Sequence, residues 1–364
     1  MPLKKIPAPF YERFALVIIG LLSLGFLIIL SKQVLDPLVF GFLFAVMLLP
    51  LSNFFERKLR MPRSMSSFLS ILLFVSFLSG IIYLVSNQIA YLSSDWPMLK
   101  KQLEQSIIDI KDWVNFAFHI DAAQQTVYVT DTTRKIVSSG TEVITTTFGA
   151  ISSMVLFYVF IIIFTFFILF YRRLLYRFIL SVFSTDDEPV VKDIVVNIQK
   201  ILRHYILGLI IEMVVVAAIA CMVFWLIGIK YAVLLGLLVG LFNIIPYLGI
   251  FAALVLSVLI TFATGPIENA IWVGVSVIVI HIVDSNFLLP TIVGSKVRLN
   301  ALITFLGIIL GEMMWGLSGM FLSIPIIAIF KIIFDRIEPL KPWGYLLGGD
   351  YEYKKSAQKK MKTE

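Results

Sequence analysis

The sequence specifies an all-α, polytopic membrane protein. It predicts about six full transmembrane helices plus two re-entrant or broken helical hairpins, with an inverted repeat in the C-terminal half. Three observations carry this. First, mean hydropathy is +0.96, and 31 Phe with only 15% charged residues in 364 cannot clothe a water-soluble surface. Second, the apolar runs 14–30, 66–85, 148–171, 206–227 and 270–280 approach or exceed the ~17–25 residues that cross a bilayer. Third, the stretches 231–263 and 301–334 are too long for one span, and each is interrupted in its middle.

Taken in order, the N-terminal "MPLKKIPAPFYERF" is basic and leads into an apolar run with no small-x-small cleavage site, so it reads as a retained first span. Lys and Arg concentrate at the N-terminus, in "ERKLRMPR" at 56–63, in "RRLLYR" at 172–177 and in the tail "KKSAQKKMK". The positive-inside rule assigns these regions, and hence both termini, to the cytoplasmic side. Spans follow near 14–31, 34–51, 65–88 and 148–171, so that residues 1–89 hold the first three helices and 148–171 the fourth. Between them, residues 90–147 form an acidic-to-neutral insert expected on the opposite side. Within it Leu99, Leu103, Ile107, Ile110 and Val114 recur at helical spacing. The lone Cys221 excludes an internal disulfide and reads as packing.

Residues 172–205 return to the cytoplasm. "STDDEPVVKDIVVNIQKILRHYI" starts with a cap candidate, acids and a proline and ends with Lys200, Arg203 and His204, a polarity that complements a helix dipole. Val191, Ile194, Ile198, Ile201 and Tyr205 form one stripe, expected to lie along the inner membrane surface. The basic tail 336–364 is expected to meet anionic lipid rather than nucleic acid.

Residues 206–335 form the expected transport core. A straight helix through 231–263 or 301–334 would run close to ~50 Å, against a hydrocarbon core of ~30 Å. "FNIIPYLG" interrupts the first with Asn243, Pro246 and Gly249; "GEMMWGLSG" interrupts the second with Gly311, Glu312, Gly316 and Gly319. As hairpins, they would leave Lys296 and Arg298 on the cytoplasmic side. Each full span (206–227, then 268–290) is then followed by a hairpin, which makes two units of opposite orientation. Broken helices meeting at membrane depth need a cavity to satisfy their backbone, and a cavity implies a transported solute or ion.

Polar residues inside apolar runs mark the candidate site, because a charge at the bilayer centre costs ~2.5–3.5 kcal/mol on insertion scales. "HIVDSNFLLP" places His281 and Asp284 three residues apart on one face, with Asn286 turned away. Two readings remain: the pair lines a solute path, or it pins the helix end by pairing internally or with Lys296. Glu212 alone reads as a structural partner of Arg203 or His204. Glu312, in its Gly-rich turn, reads as functional.

"LLGLLVGLFNIIPYLGIF", "HIVDSNFLLPTIVGSKVRLNALITFLGIILGEMMWGLSGMFLSIPIIAIFK" and the lead-in "ILRHYILG" resemble the autoinducer-2 exporter family of bacterial permease-like proteins. Asn243, Pro246, Tyr247 and Gly249 meet its first turn motif. Asp284, Asn286 and Pro290 meet its acid-x-Asn motif, and Gly311, Glu312, Gly316 and Gly319 its last turn. His281 stands where Gln is common, and Asp284 where Glu is frequent. The resemblance implies a bacterial inner-membrane protein, homo-oligomeric and in one form pentameric, that exports a small polar solute such as autoinducer-2. It also leaves a Na⁺/H⁺ antiporter as the alternative. No cofactor or metal is expected. The three scattered His, and the lack of any nucleophile triad, Walker A loop or Rossmann fingerprint, argue against an enzyme.

Overall fold

The computed structural model describes residues 10–95, 101, 155–245, 248–292 and 299–349. Among them all regular structure is helical. Helices α1 (Phe10–Leu30), α2 (Lys32–Lys58) and α3 (Arg63–Ser94) are followed by α4 (Val155–Val182) and the long α5 (Glu188–Ile227). Next come α6 (Ala232–Phe242), α7 (Leu248–Thr264), α8 (Ile267–Val283) and, after a π-helical turn at Asp284–Leu288, α9 (Leu289–Ile292). The chain closes with α10 (Ala301–Trp315), α11 (Leu317–Phe334), a 3₁₀ turn (Glu338–Leu340) and α12 (Lys341–Gly348).

Among the described residues, six stretches are long and apolar enough to cross a membrane: α2, α3, α4, α5, α8 with α9 taken together as Ile267–Ile292, and α11. Their apolar side chains are exposed on the outside of the bundle, as lipid-facing surfaces require. The molecule is a multi-pass membrane protein. The apolar run of α1 ends at the short limit, and α11 reaches spanning length with 18 residues against the 15 of α10.

Both overlong stretches fold as helical hairpins. In the first, α6 and α7 are separated at Asn243–Ile245, and Gly249 lies so close to the Phe242 carbonyl that a side chain there would collide with it. In the second, one residue, Gly316 (φ 67°, ψ −141°), reverses the chain between α10 and α11. The two helices touch through Gly311 and Gly319, and Ser323 Oγ donates to the Gly307 carbonyl at 2.7 Å.

Residues 188–205 depart from expectation. They are not a separate surface helix but the first part of α5, which continues unbroken through the membrane segment, ~60 Å in all. No Gly or Pro interrupts 190–207, and the stripe of Val191, Ile198 and Tyr205 runs on into Leu209. Leu202, Tyr205 and Leu209 bury against Leu43, Met47 and Leu322 of α2 and α11. The expected start at 172 is also displaced, since 172–182 completes α4. Pro189 at the first turn and the Ser184 hydroxyl donating to Asp187 at 2.7 Å open α5. Of the expected insert 90–147, residues 90–94 are the last turn of α3; the remainder, apart from 95 and 101, lies outside the described residues, as do Lys296, Arg298 and the tail from 350.

Helix α5 is the spine of two cores. Its N-terminal half joins α2, α3, α4 and the second hairpin. Its C-terminal half, from Val216 to Phe224, packs with the first hairpin and with Val273, Val277 and Ile280 of α8. Contact between α5 and α6 is close because Gly236 abuts Cys221 and Gly240 abuts Ala217, the small-residue packing typical of membrane helices. Cys221 is a packing residue there.

Candidate functional site: a buried acid pair at the first hairpin tip

Glu212 sits on α5 between the two cores, 3% exposed. It shares a helical face with Tyr205, Leu209 and Val216, all buried. Asn243 follows the last turn of α6 at the tip of the first hairpin. Asp284, 4% exposed, opens the π turn that interrupts α8 and α9. These three residues converge. Asn243 Nδ2 donates to Asp284 Oδ2 at 3.1 Å and to Glu212 Oε1 at 3.3 Å. An amide nitrogen carries two hydrogens, so one Asn serves both acids at once.

The remaining oxygens, Glu212 Oε2 and Asp284 Oδ1, are buried with no hydrogen-bond partner among the described residues. A neutral amide cannot compensate two buried carboxylates, and like charges at this range oppose one another. The pair therefore needs a positive partner, a proton or a hard cation that takes oxygen ligands. Among the described residues no group of three or more His, Cys, Asp or Glu gathers as a metal site.

The π turn shapes this site. An extra residue in the helix rotates Asp284 toward α5 and Asn243, and π turns of this kind recur at functional sites. Asn286 donates to the Ile282 carbonyl at 2.8 Å and faces outward. Pro290 is exposed as well. His281 does not pair with Asp284. Its Nε2 lies 3.4 Å from Ser285 Oγ, while Nδ1 is buried without a partner among the described residues.

The expected pairing of Glu212 with Arg203 or His204 is incorrect. Nine residues at ~100° each put Arg203 on the opposite face of α5, and His204 is a full ~12 Å back along the axis. His204 instead engages the Lys200 carbonyl at 2.6 Å. Glu312 is exposed at the end of α10, and no side-chain bond joins it to the acid pair. Gly249 closes the first hairpin, Gly311 the second, and Gly316 turns it. Pro246 and Tyr247 lie outside the described residues.

One further acid escaped the sequence reading. Asp36 of α2 is 4% exposed, and its Oδ1 is buried without a hydrogen-bond partner among the described residues. Its signal was an acid directly before Pro37 inside an apolar run.

A bundle of membrane-spanning helices with two broken hairpins and a buried acid pair has the form of a membrane transporter. Comparison with known proteins agrees: residues 14–338 match the AI-2E family transporters, and the chain belongs to that family of transporters and permeases. It is 25% identical over 330 residues to the "Putative transport protein YueF" of Bacillus subtilis (strain 168), covering 86% of each chain. It is 21% identical over 318 residues to the "Putative transport protein YhhT" of Escherichia coli (strain K12), covering 87% of this chain and 89% of that protein. A shorter match, 27% over 136 residues, is to the "Putative permease PerM" of the same organism, covering 36% and 38% of the two chains.

Proposed function

We propose that this protein is a secondary transporter of the bacterial inner membrane that moves a small polar solute outward, with the autoinducer-2 furanone as the solute and the Glu212–Asn243–Asp284 site as its coupling element. The carrying observation is the buried acid pair with two unpartnered oxygens at a hairpin tip. Loading the pair with a proton removes one of its two negative charges and lets the hairpin move; unloading restores the charge that holds Asn243 in place. Both hairpins are re-entrant in this reading, and the two span-plus-hairpin units rock against each other. Basic segments around Arg57–Arg63 and Arg172–Arg177 orient that end, and both termini, toward the cytoplasm. Exposed apolar faces, such as that of α1, leave room for a homo-oligomer.

A second reading, a cation/proton antiporter, is favoured by the donor set itself. Two carboxylates, each with a buried unpartnered oxygen, suit Na⁺ as well as H⁺. The test reconstitutes the chain in vesicles and follows furanone, Na⁺ and H⁺ flux for wild type and Asp284→Asn. Coupled flux of furanone with H⁺, lost in the variant, supports the first reading; Na⁺-dependent H⁺ flux without furanone supports the second. Unchanged flux in Asp284→Asn removes the acid pair from both.

A further inference from the structure

At the basic end of the bundle, three guanidinium groups surround a single carboxylate. Arg172 binds Glu56 Oε2, Arg173 Nη2 approaches Oε1 at 2.8 Å, and Arg63 Nε lies 3.4 Å from the same oxygen. Arg172 also donates to Ser52 Oγ at 3.1 Å. The acids of the facing start of α5 do not correct this excess: Glu188 pairs with Lys192 and Asp193 with Arg336, while Asp187 accepts from Ser184. The cluster carries two positive charges more than its acid offsets. Lys58, over the Phe54 ring at 5.3 Å, adds to the same end.

Arg172 is also a wall of something else. A cavity of about 760 Å³ opens between α2, α4, α5 and α11. Its lining is apolar, from Val39, Phe42, Leu49 and Ile198 to Phe330, and its few polar groups, Arg172, Tyr176 and Gln199, include one arginine of the cluster. An apolar chamber that reaches one member of an arginine cluster short of anions matches one chemistry: an acyl chain joined to an anionic headgroup.

We propose that this cavity is a binding site for an anionic phospholipid, its acyl chain lying between α2, α4 and α11 and its phosphate meeting Arg172, Arg173 and Arg63. A neutral lipid would fill the chamber and leave the excess charge standing. A soluble phosphate would answer the charge and leave the chamber empty. The site is independent of the acid pair, none of whose residues lines the cavity. Bound lipid ties α2 to α4 and α11, and so braces the scaffold against which the hairpins work.

The test uses the full purified chain in detergent. Dioleoyl phosphatidylglycerol and dioleoyl phosphatidylcholine are titrated while the melting temperature and lipid adducts in native mass spectrometry are read. At about 1 kcal/mol per uncompensated arginine, two excess charges give phosphatidylglycerol a preference of roughly 30-fold. Arg63→Gln combined with Arg173→Gln changes only rim residues and is expected to abolish that preference while phosphatidylcholine binding stays. Glycerol phosphate, the headgroup alone, is expected to do nothing at the same concentration. Equal binding of the two lipids overturns the proposal, as does a preference that survives the double variant. A full effect from glycerol phosphate does the same, and so does wild type that retains no lipid because its own chain fills the cavity. Should the double variant not fold, the lipid pair on unaltered protein, repeated at high salt, still decides: a true preference falls as salt screens the rim charges.

Discussion

Glu212 of α5 and Asp284 of the π turn hold the same amide nitrogen, that of Asn243, at 3.3 and 3.1 Å. Two helices and a hairpin tip are thus tied at one point. Replacing Asn243 by Ala removes the only donor the described residues offer these acids, leaving buried acceptors that cost ~1–3 kcal/mol each when unpaired. Asn243→Ala is expected to lower the melting temperature and to abolish coupled flux. Asn243→Asp adds a third acid and is expected to be worse at neutral pH, with partial recovery in acid. A transport-competent Asn243→Ala protein of wild-type stability would show that the tie does not matter.

The second hairpin depends on one conformation. Gly316 has φ 67° and ψ −141°, a region open essentially to glycine, where a side chain costs ~1–3 kcal/mol. Gly316→Ala is therefore expected to destabilise the fold by that amount, and Gly319→Val by more, since its added carbons would enter the Gly311 backbone. Gly25→Ala in α1 is the control. Nothing lies within 4 Å of a side chain there, and alanine favours the helix. Thermal unfolding of the three variants checks the order; equal melting temperatures would refute it.

Much of this architecture is written locally. Overlong apolar runs with Asn243 and Gly316 at their centres predict two hairpins, and both breaks fall where glycine, asparagine or proline weakens the helix. What is not local stays hidden. The partners of Glu212 come from the first hairpin's tip and the π turn, far along the chain, so its neighbours Arg203 and His204 misled. Extending the stripe of Tyr205 and Leu209 by one turn would have put Glu212 in the core. The π turn at Asp284 has no periodic signature, because one extra residue changes only where a side chain points. The unbroken α5 followed from the absence of glycine and proline between 190 and 207, a negative signal outweighed by the change in polarity.

At the opposite end of the bundle from the arginine cluster, Asp95 accepts from Lys230 Nζ at 2.7 Å and from the Tyr231 hydroxyl at 2.5 Å, joining the end of α3 to the α5–α6 turn. Its hydrogen bond from Lys230, then that from Tyr231, hold the Asp95 carboxyl below the ordinary 3.8. The hydrogen bond to Asp95 raises Lys230 above 10.5. A depressed acid contributes fully above its unfolded value and loses that contribution as pH falls through the folded one. A raised lysine contributes fully below its unfolded value and loses it as pH rises through the folded one. The stability gap between wild type and Asp95→Asn is thus expected to be level between about pH 5 and 9, and to close in acid below about pH 4. A gap that persists unchanged into strong acid would contradict the contact.

Glu56 is the one acid that holds Arg63, Arg172 and Arg173 together. Its side chain is 17% exposed and that of Arg172 16%, so this contact is largely shielded from water. Glu56→Gln keeps the shape and removes the charge, leaving three cations facing one another. In phosphatidylcholine the variant is expected to lose about 1–3 kcal/mol of stability, the usual penalty for removing one partner from a partly buried charged contact. In phosphatidylglycerol the lipid phosphate supplies the missing charge, and most of that loss is expected to return. Thermal unfolding in vesicles of the two compositions measures the difference. Glutamine keeps one acceptor oxygen and turns an NH2 toward the arginine on the other side, a loss that geometry alone makes the same in both lipids, so only an anion among the guanidiniums makes the two curves part.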